Sequence, residues 1–304
     1  MSLSPDGRQI AVAQYAPKLG DVDANLATSL AKIAEAAERG ACAVVLPECA
    51  LTGYAFERRE DLLPLAEPLS GPSVEAWRTA AERQGITVVA GMAERDGEEL
   101  FNTAVAIAPE GAVQAYRKVH LWGCERALYA AGRSLTVFDS PFGRVGLALC
   151  YDLWFPEHFR ALANLGAELV AVPANWAGNP RLDKQLDRFG LPIGYHMTVA
   201  AAVSNELLLA VADRTGTENG KAFLGASCIV GPDGRCLAGP LGQEEDMLLA
   251  PIPDVGAIRR TGQSHRASRR AELYSRDPAS ASARRGRDAG LGCAPQGPER
   301  ERRT

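Results

Sequence analysis

The chain has 304 residues, 46% hydrophobic and 23% charged, enough apolar material for one large core or two small ones. A formal net charge of −4 and a pI near 5.7 argue against non-specific nucleic-acid binding. No apolar run approaches the ~18 residues of a membrane helix, and the opening MSLSPDGRQ lacks the basic-then-apolar pattern of an export signal.

Residues 8–14 read as a short buried strand. Residues 25–39 place apolar and alanine positions at helical spacing, with Gly40 as a stop, and 42–46 follow as a second buried strand. A helix over 74–84 leads into a strand over 86–91. Strands at 103–108 and 112–116 flank Pro109-Glu110-Gly111, a hairpin signal. The run 144–150 reads as a strand ending in Cys150, followed by a helix at 157–165 and a strand at 168–172. A helix ending near Asn205 precedes a strand at 207–211, and a last pair at 226–230 and 235–238 surrounds Gly231-Pro232-Asp233-Gly234. Alternating strands and helices with hairpins between them predict a mixed sheet packed by helices, with a second sheet. From about Arg276 the composition turns to Ala, Arg, Gly and Pro, which predicts a disordered tail over 276–304 behind a domain over 1–275. The tail's arginines read most simply as a solvated charge run.

Seven scattered cysteines form no CxxC pair, and four histidines lack HExxH spacing. A reduced, cytoplasmic protein with no structural metal is the expectation.

Four stretches end strands with chemistry. LALCYDLWFPE puts Cys150 where a strand turns toward a helix, the place where open α/β sheets present reacting groups. The plainer reading is a thiol packed as a small hydrophobe. VVLPECALTGY puts Glu48 just past a buried strand, costly unless paired or protonated, or else a surface loop glutamate. YRKVHLWGCE carries Lys118, one of only five lysines, amid aromatics; a snorkelling strand-end lysine is the alternative. VAVPANW is another buried strand running into a turn that looks like a site rim. A thiol needs a base, a nearby ammonium lowers its pKa, and the same ammonium stabilises an oxyanion. Glu48, Lys118 and Cys150 are therefore a complete set for covalent catalysis without histidine.

These motifs resemble the carbon–nitrogen hydrolase (nitrilase) superfamily, whose members use a Glu-Lys-Cys triad. The match runs through Leu46-Pro47-Glu48 with Thr52-Gly53-Tyr54, Arg117-Lys118-Val119-His120-Leu121, and Cys150-Tyr151-Asp152 with Pro156-Glu157, over roughly residues 8–275. Glu125, with Tyr129 and Gly132, fits a second glutamate that many members carry after the lysine. Two departures stand out. Ala201-Ala202-Val203-Ser204-Asn205 replaces a frequent Arg-Ala-x-Glu-Asn, which suggests altered packing or subunit contact, and Asp213 stands where Asn is common. Phe223-x-Gly225-x-Ser227 returns to the family pattern.

The resemblance implies a single-domain, four-layer α-β-β-α sandwich, a homodimer or higher homo-oligomer, and no cofactor. It implies hydrolysis of a small-molecule amide through a cysteine thioester. Glu48 would be the base, Cys150 the nucleophile, Lys118 and the Tyr151 N–H the oxyanion donors, and Glu125 an orienting group. Tyr54, Trp122, Tyr151 and Trp176 are rim candidates for substrate, or ordinary packing residues. Nitrile or N-carbamoyl substrates, acyl transfer, glutamine hydrolysis for a synthetase partner and a non-catalytic interaction role are the other readings of the same scaffold.

Overall fold

The computed structural model describes residues 7–178, 186–256 and 264–274. By its internal contacts the chain divides into two compact units, Met1–Ala267 and Ser268–Thr304. The second is described only over residues 268–274, which include a helical turn, Ala271–Tyr274. The tail expected over 276–304 lies outside the described residues.

The first unit opens with β1 (Gln9–Gln14), α1 (Val22–Glu38), β2 (Ala41–Val45), α2 (Arg59–Leu62) and α3 (Pro72–Gln84). β3 (Thr87–Asp96), β4 (Glu99–Ile107), β5 (Val113–Arg117) and α4 (Glu125–Leu128) follow. The second half begins with β6 (Val137–Ser140), β7 (Gly143–Leu147), α5 (Pro156–Asn164), β8 (Leu169–Pro173), α6 (Ile193–Asn205) and β9 (Leu208–Ala212). β10 (Thr217–Glu218) and β11 (Lys221–Ala222) form a small ribbon before β12 (Cys228–Val230), β13 (Cys236–Ala238) and β14 (Asp246–Pro251). One six-stranded sheet runs β14-β1-β2-β3-β4-β5 and the other β13-β12-β9-β8-β7-β6. In each, the central three strands are parallel (β1-β2-β3 and β7-β8-β9) and the outer pairings antiparallel.

The period-2 alternation of strand side chains explains why this becomes four layers. On β1, Ile10 and Val12 point into a core shared with Leu169 and Ala171 of the facing sheet. Ala11 and Ala13 point the other way, onto Ile33 of α1 and Trp77 of α3. On β8, Val170 and Val172 pack outward against Phe159 and Leu162 of α5 and Ala202 of α6. Both faces of both sheets are therefore apolar, and three cores separate four layers in the expected α-β-β-α order.

The differences from the sequence reading are local. α1 begins three residues ahead of residue 25, because the Asp21 carboxylate accepts the Ala24 N–H at 3.1 Å and caps it. β3 and β4 continue into a long hairpin turning at Asp96–Glu99, rather than ending at 91 and starting at 103. Two edge strands, β6 and β14, were not foreseen.

Candidate active site

Glu48 follows β2 on a segment that crosses directly over β3. The Gly91 N–H donates to the Pro47 carbonyl at 3.1 Å, and the Ala50 N–H donates to the Gly91 carbonyl at 2.8 Å. A Cβ on Gly91 would lie 2.5 Å from Glu48 Cα, so only glycine permits this approach. The Glu48 side chain is wholly buried, and its Oε1 accepts from Lys118 Nζ at 2.7 Å and from Asn102 Nδ2 at 2.8 Å. Its Oε2 is buried without a hydrogen-bond partner among the described residues. Burial raises the Glu48 carboxyl above the usual carboxylate range; Lys118 opposes that, and Glu125 adds to it.

Lys118 comes one residue after β5. Its N–H donates to the Asn102 carbonyl, and its own carbonyl accepts from Gly132 N–H, both at 2.8 Å. A side chain at Gly132 would overlap the Arg117 carbonyl, which accounts for glycine there. Lys118 Nζ reaches Glu125 Oε1 at 2.8 Å as well as Glu48. Burial alone would pull the lysine pKa down, but Glu125 and Glu48 outweigh it and hold it well above its ordinary value. Glu125 also accepts the Tyr54 hydroxyl at 2.7 Å and the Trp122 N–H at 2.9 Å. The two carboxylates and one ammonium form a buried triad in which removing any member strands the rest.

Cys150 corrects the sequence reading. β7 stops at Leu147, and Cys150 opens a 3₁₀ turn, Cys150–Trp154, with φ of +39°. Asp152 bends the chain there. Its Oδ2 accepts the Leu149 N–H at 2.8 Å and the Tyr116 hydroxyl at 2.7 Å, and His120 Nδ1 lies 2.7 Å from Oδ1. A non-glycine residue held at positive φ costs about 1–3 kcal/mol and persists only where its surroundings over-determine it. Burial raises the Cys150 thiol pKa, with Glu48 adding to the rise; Lys118 and the backbone N–H of Asn175 act against them, and the thiol stays well above its ordinary value. The Asn175 amide donates to the Glu48 carbonyl at 2.9 Å, tying the two sheets together beside the thiol.

Cys150 lines a cleft enclosing about 450 Å³, open solvent at its mouth included. Tyr54, Trp122, Tyr151 and Trp176, the four rim candidates, line the same cleft, joined by Trp154, Ile193 and Leu224. The structure thus brings all eight anticipated residues to one place.

Several contributors were missed. Asn102 and Asn175 hold Glu48 from either side. The wholly buried Arg214 forms an ion pair with Glu218 and lies 4.1 Å over the Phe223 ring. Glu218 Oε2 in turn accepts the Tyr54 and Ala55 N–H groups, both at 2.9 Å, and so fixes the turn that presents Tyr54. An arginine just past the apolar run 207–211 was the available signal. Of the two positions that depart from Arg-Ala-x-Glu-Asn, Ala201 enters the core beneath the second sheet, and Ser204 is exposed, its hydroxyl donating to the Ala200 carbonyl at 2.6 Å. Asp213 accepts the Trp176 N–H at 2.8 Å and the Arg214 N–H at 2.9 Å, and burial raises its pKa well above normal. The neutral acid so favoured is nearly isosteric with the asparagine common at that position.

Two six-stranded sheets face to face, helices outside, and a thiol, carboxylates and a lysine gathered at one end define a hydrolase of the nitrilase-like sandwich class. The chain belongs to the carbon-nitrogen hydrolase family, whose model matches residues 9–260. It is 35% identical over 253 residues to a nitrilase of Pyrococcus abyssi, covering 83% of this chain and 91% of the relative. It is 36% identical over 230 residues to an (R)-stereoselective amidase of a Pseudomonas species, covering 75% and 79%. Among solved structures, an amidase of Nesterenkonia sp. superposes with a TM-score of 0.72 at 30% identity, covering 88% of this chain and 98% of that one. A variant of that amidase carries acrylamide added to its active-site cysteine.

Proposed function

We propose that this hydrolase converts a small carboxamide to carboxylate and ammonia through a thioester on Cys150. The observation that carries the reading is the pairing of a wholly buried Glu48, one oxygen fastened to Lys118 and Asn102 and the other unpartnered, with a thiol whose charge state Glu48 and Lys118 both influence. Glu48 Oε2 takes the thiol proton as sulfur attacks the amide carbon. The C=O π electrons move to oxygen, which is met by Lys118 Nζ and the Tyr151 N–H. The first N–H groups of a helical turn have no acceptor within the turn, so the Tyr151 donor is available. As the C–N bond breaks, protonated Glu48 returns its proton to nitrogen and ammonia leaves. Glu48 then takes a proton from water as it attacks the thioester, and gives it to the departing thiolate. Each oxyanion donor of this kind is worth about 10²–10³ in rate. Glu125 anchors Lys118 and Tyr54, and so sets where the donors sit.

Amides are favoured over nitriles. Cys150-Tyr151-Asp152 follows the amidase-type pattern rather than the Cys-Trp-Glu of true nitrilases. A nitrile is attacked along a linear axis and needs its nitrogen protonated, whereas the donors here surround an oxygen. The test is kcat/KM on matched amides and nitriles of equal chain length, scored by ammonia release, with mass spectrometry of the Cys150 peptide for an acyl adduct. Amide preference with an adduct supports the reading. A nitrile preference of tenfold, about 1.4 kcal/mol in transition-state energy, overturns it. Excess hydroxamate over acid when hydroxylamine is added reassigns the chain to acyl transfer.

A further inference from the structure

Three side chains outside the proposed reaction meet behind the nucleophile turn. His120 follows β5, Asp152 lies in the 3₁₀ turn, and His158 lies in the first turn of α5. One nitrogen or carboxylate oxygen from each lies within 4.8 Å of those of the other two. The pattern is absent from any spacing motif because the three residues reach one point from separate elements.

The hydrogen bonds around this cluster are those of ligands already oriented. His158 is 96% buried and bonds the Leu147 backbone carbonyl through its ring, while its Nε2 is buried with no partner among the described residues. An imidazole with one nitrogen on a backbone carbonyl and the other left with an open lone pair is the arrangement in which histidine binds metal. Asp152 Oδ2 is occupied by the Tyr116 hydroxyl and the Leu149 N–H, and Oδ1 is hydrogen-bonded to His120 Nδ1 at 2.7 Å, the one bond an ion would replace, with release of the shared proton. The His120 ring stacks on Phe155 with centroids 3.6 Å apart and planes 7° from parallel, so its orientation is set too. The His120 side chain is 29% exposed, which provides a route in from solvent.

We propose that His120, Asp152 and His158 form a binding site for one divalent transition-metal ion of the zinc class. Two imidazoles and a carboxylate are a ligand set for such ions, with the fourth position left to water. A buried carboxylate supplies charge compensation, and the Tyr116, Leu147 and Leu149 groups are the outer partners that keep the ligands aimed. Because Leu149 and Asp152 flank Cys150, the bound ion braces the turn that carries the thiol, without taking part in the reaction.

The test uses the full chain with Cys150→Ala, so that the reactive thiol does not compete, after treatment with a chelator. Titration with Co²⁺ alone should give one ion per chain, visible d–d bands without a thiolate charge-transfer band, and displacement by Zn²⁺. His120→Gln and His158→Phe should each weaken binding at least tenfold, the loss that even an outer partner of a metal ligand causes. Circular dichroism should remain unchanged. His120 is partly exposed, so its variant decides the matter if the buried His158→Phe fails to fold. Absence of stoichiometric uptake overturns the proposal, as does a thiolate band, or an affinity unchanged in His120→Gln.

Discussion

The two sheets meet at the cleft with opposite devices. The first sheet contributes charge: Glu48 after β2, Lys118 after β5 and Glu125 on α4, with Lys118 donating to both carboxylates and the neutral Asn102 on β4 donating to Glu48, all at 2.7–2.8 Å. The second sheet contributes the proposed nucleophile through strain, holding Cys150 at positive φ on a turn pinned by Asp152. Charges buried in a low-dielectric site are positioned by each other, since separating them is costly. A neutral thiol has no such partner and must be positioned by backbone. The comparison implies that the first half depends on the placement of its buried charges, whereas the second depends on one atom.

Removing that atom should have the largest effect. Cys150→Ala should lower kcat/KM by about 10⁴-fold or more with circular dichroism unchanged, because the first sheet's charges do not rely on the sulfur. Cys49→Ala and Cys124→Ala serve as controls and should keep turning over. A Cys150→Ala variant with substantial turnover would break the comparison at its root.

Lys118→Arg comes next. The charge survives, but a planar guanidinium cannot occupy the point that an ammonium holds between two carboxylates. We expect a loss in kcat of about 10²–10³, close to that of Lys118→Ala. A near-normal rate would mean that general positive potential, rather than position, is what the first sheet supplies.

Asn102→Ala sharpens the contrast through pH. Burial already raises Glu48, and the Asn102 donor holds it down. Without that donor the pKa rises further, so the ionised base is lost sooner as pH falls. The acid limb of kcat/KM should move to higher pH, with a loss of about tenfold at neutral pH for one charge-assisted hydrogen bond of ~1.5 kcal/mol. A lower rate with an unmoved acid limb would assign Asn102 to folding alone.

Tyr54→Phe should cost least. Glu125 keeps Lys118 and the Trp122 N–H when the hydroxyl is removed. One net hydrogen bond of ~1 kcal/mol corresponds to about fivefold in rate. A loss as large as that of Lys118→Arg would move Tyr54 into direct contact with the reacting atoms.

The proposed reacting groups were legible in the sequence through short motifs at strand ends. A glutamate just past a buried strand is costly unless paired; the lysine and the thiol each had an ordinary packing reading and stood out through the motifs they share with the family, and the aromatics beside them fell on the same cleft. What supports them was not legible. Asn102 and Arg214 look like ordinary strand and loop residues until the fold brings Glu48 and Glu218 to them. The strand ending attributed to Cys150 was wrong by three residues, because the apolar run 145–149 cannot reveal that Asp152 turns back onto the Leu149 N–H. β14 escaped notice because the strand it pairs with, β1, lies at the far end of the sequence.

That last pairing bears on how the molecule is made. β1 is synthesised well over 200 residues before its antiparallel neighbour, which begins at residue 246, with Gln9 opposite Pro251. The buried Gln14 likewise waits for Ser227, whose N–H it accepts, and for the Gly242 and Glu244 carbonyls, to which it donates. Until those residues are synthesised, β1 presents an open row of backbone donors and acceptors beside a parallel pair, the kind of edge that recruits other chains. Contacts so distant in sequence are entropically slow to close. A nascent chain stalled short of residue 246 therefore carries an unpaired edge on the half that bears Glu48 and Lys118.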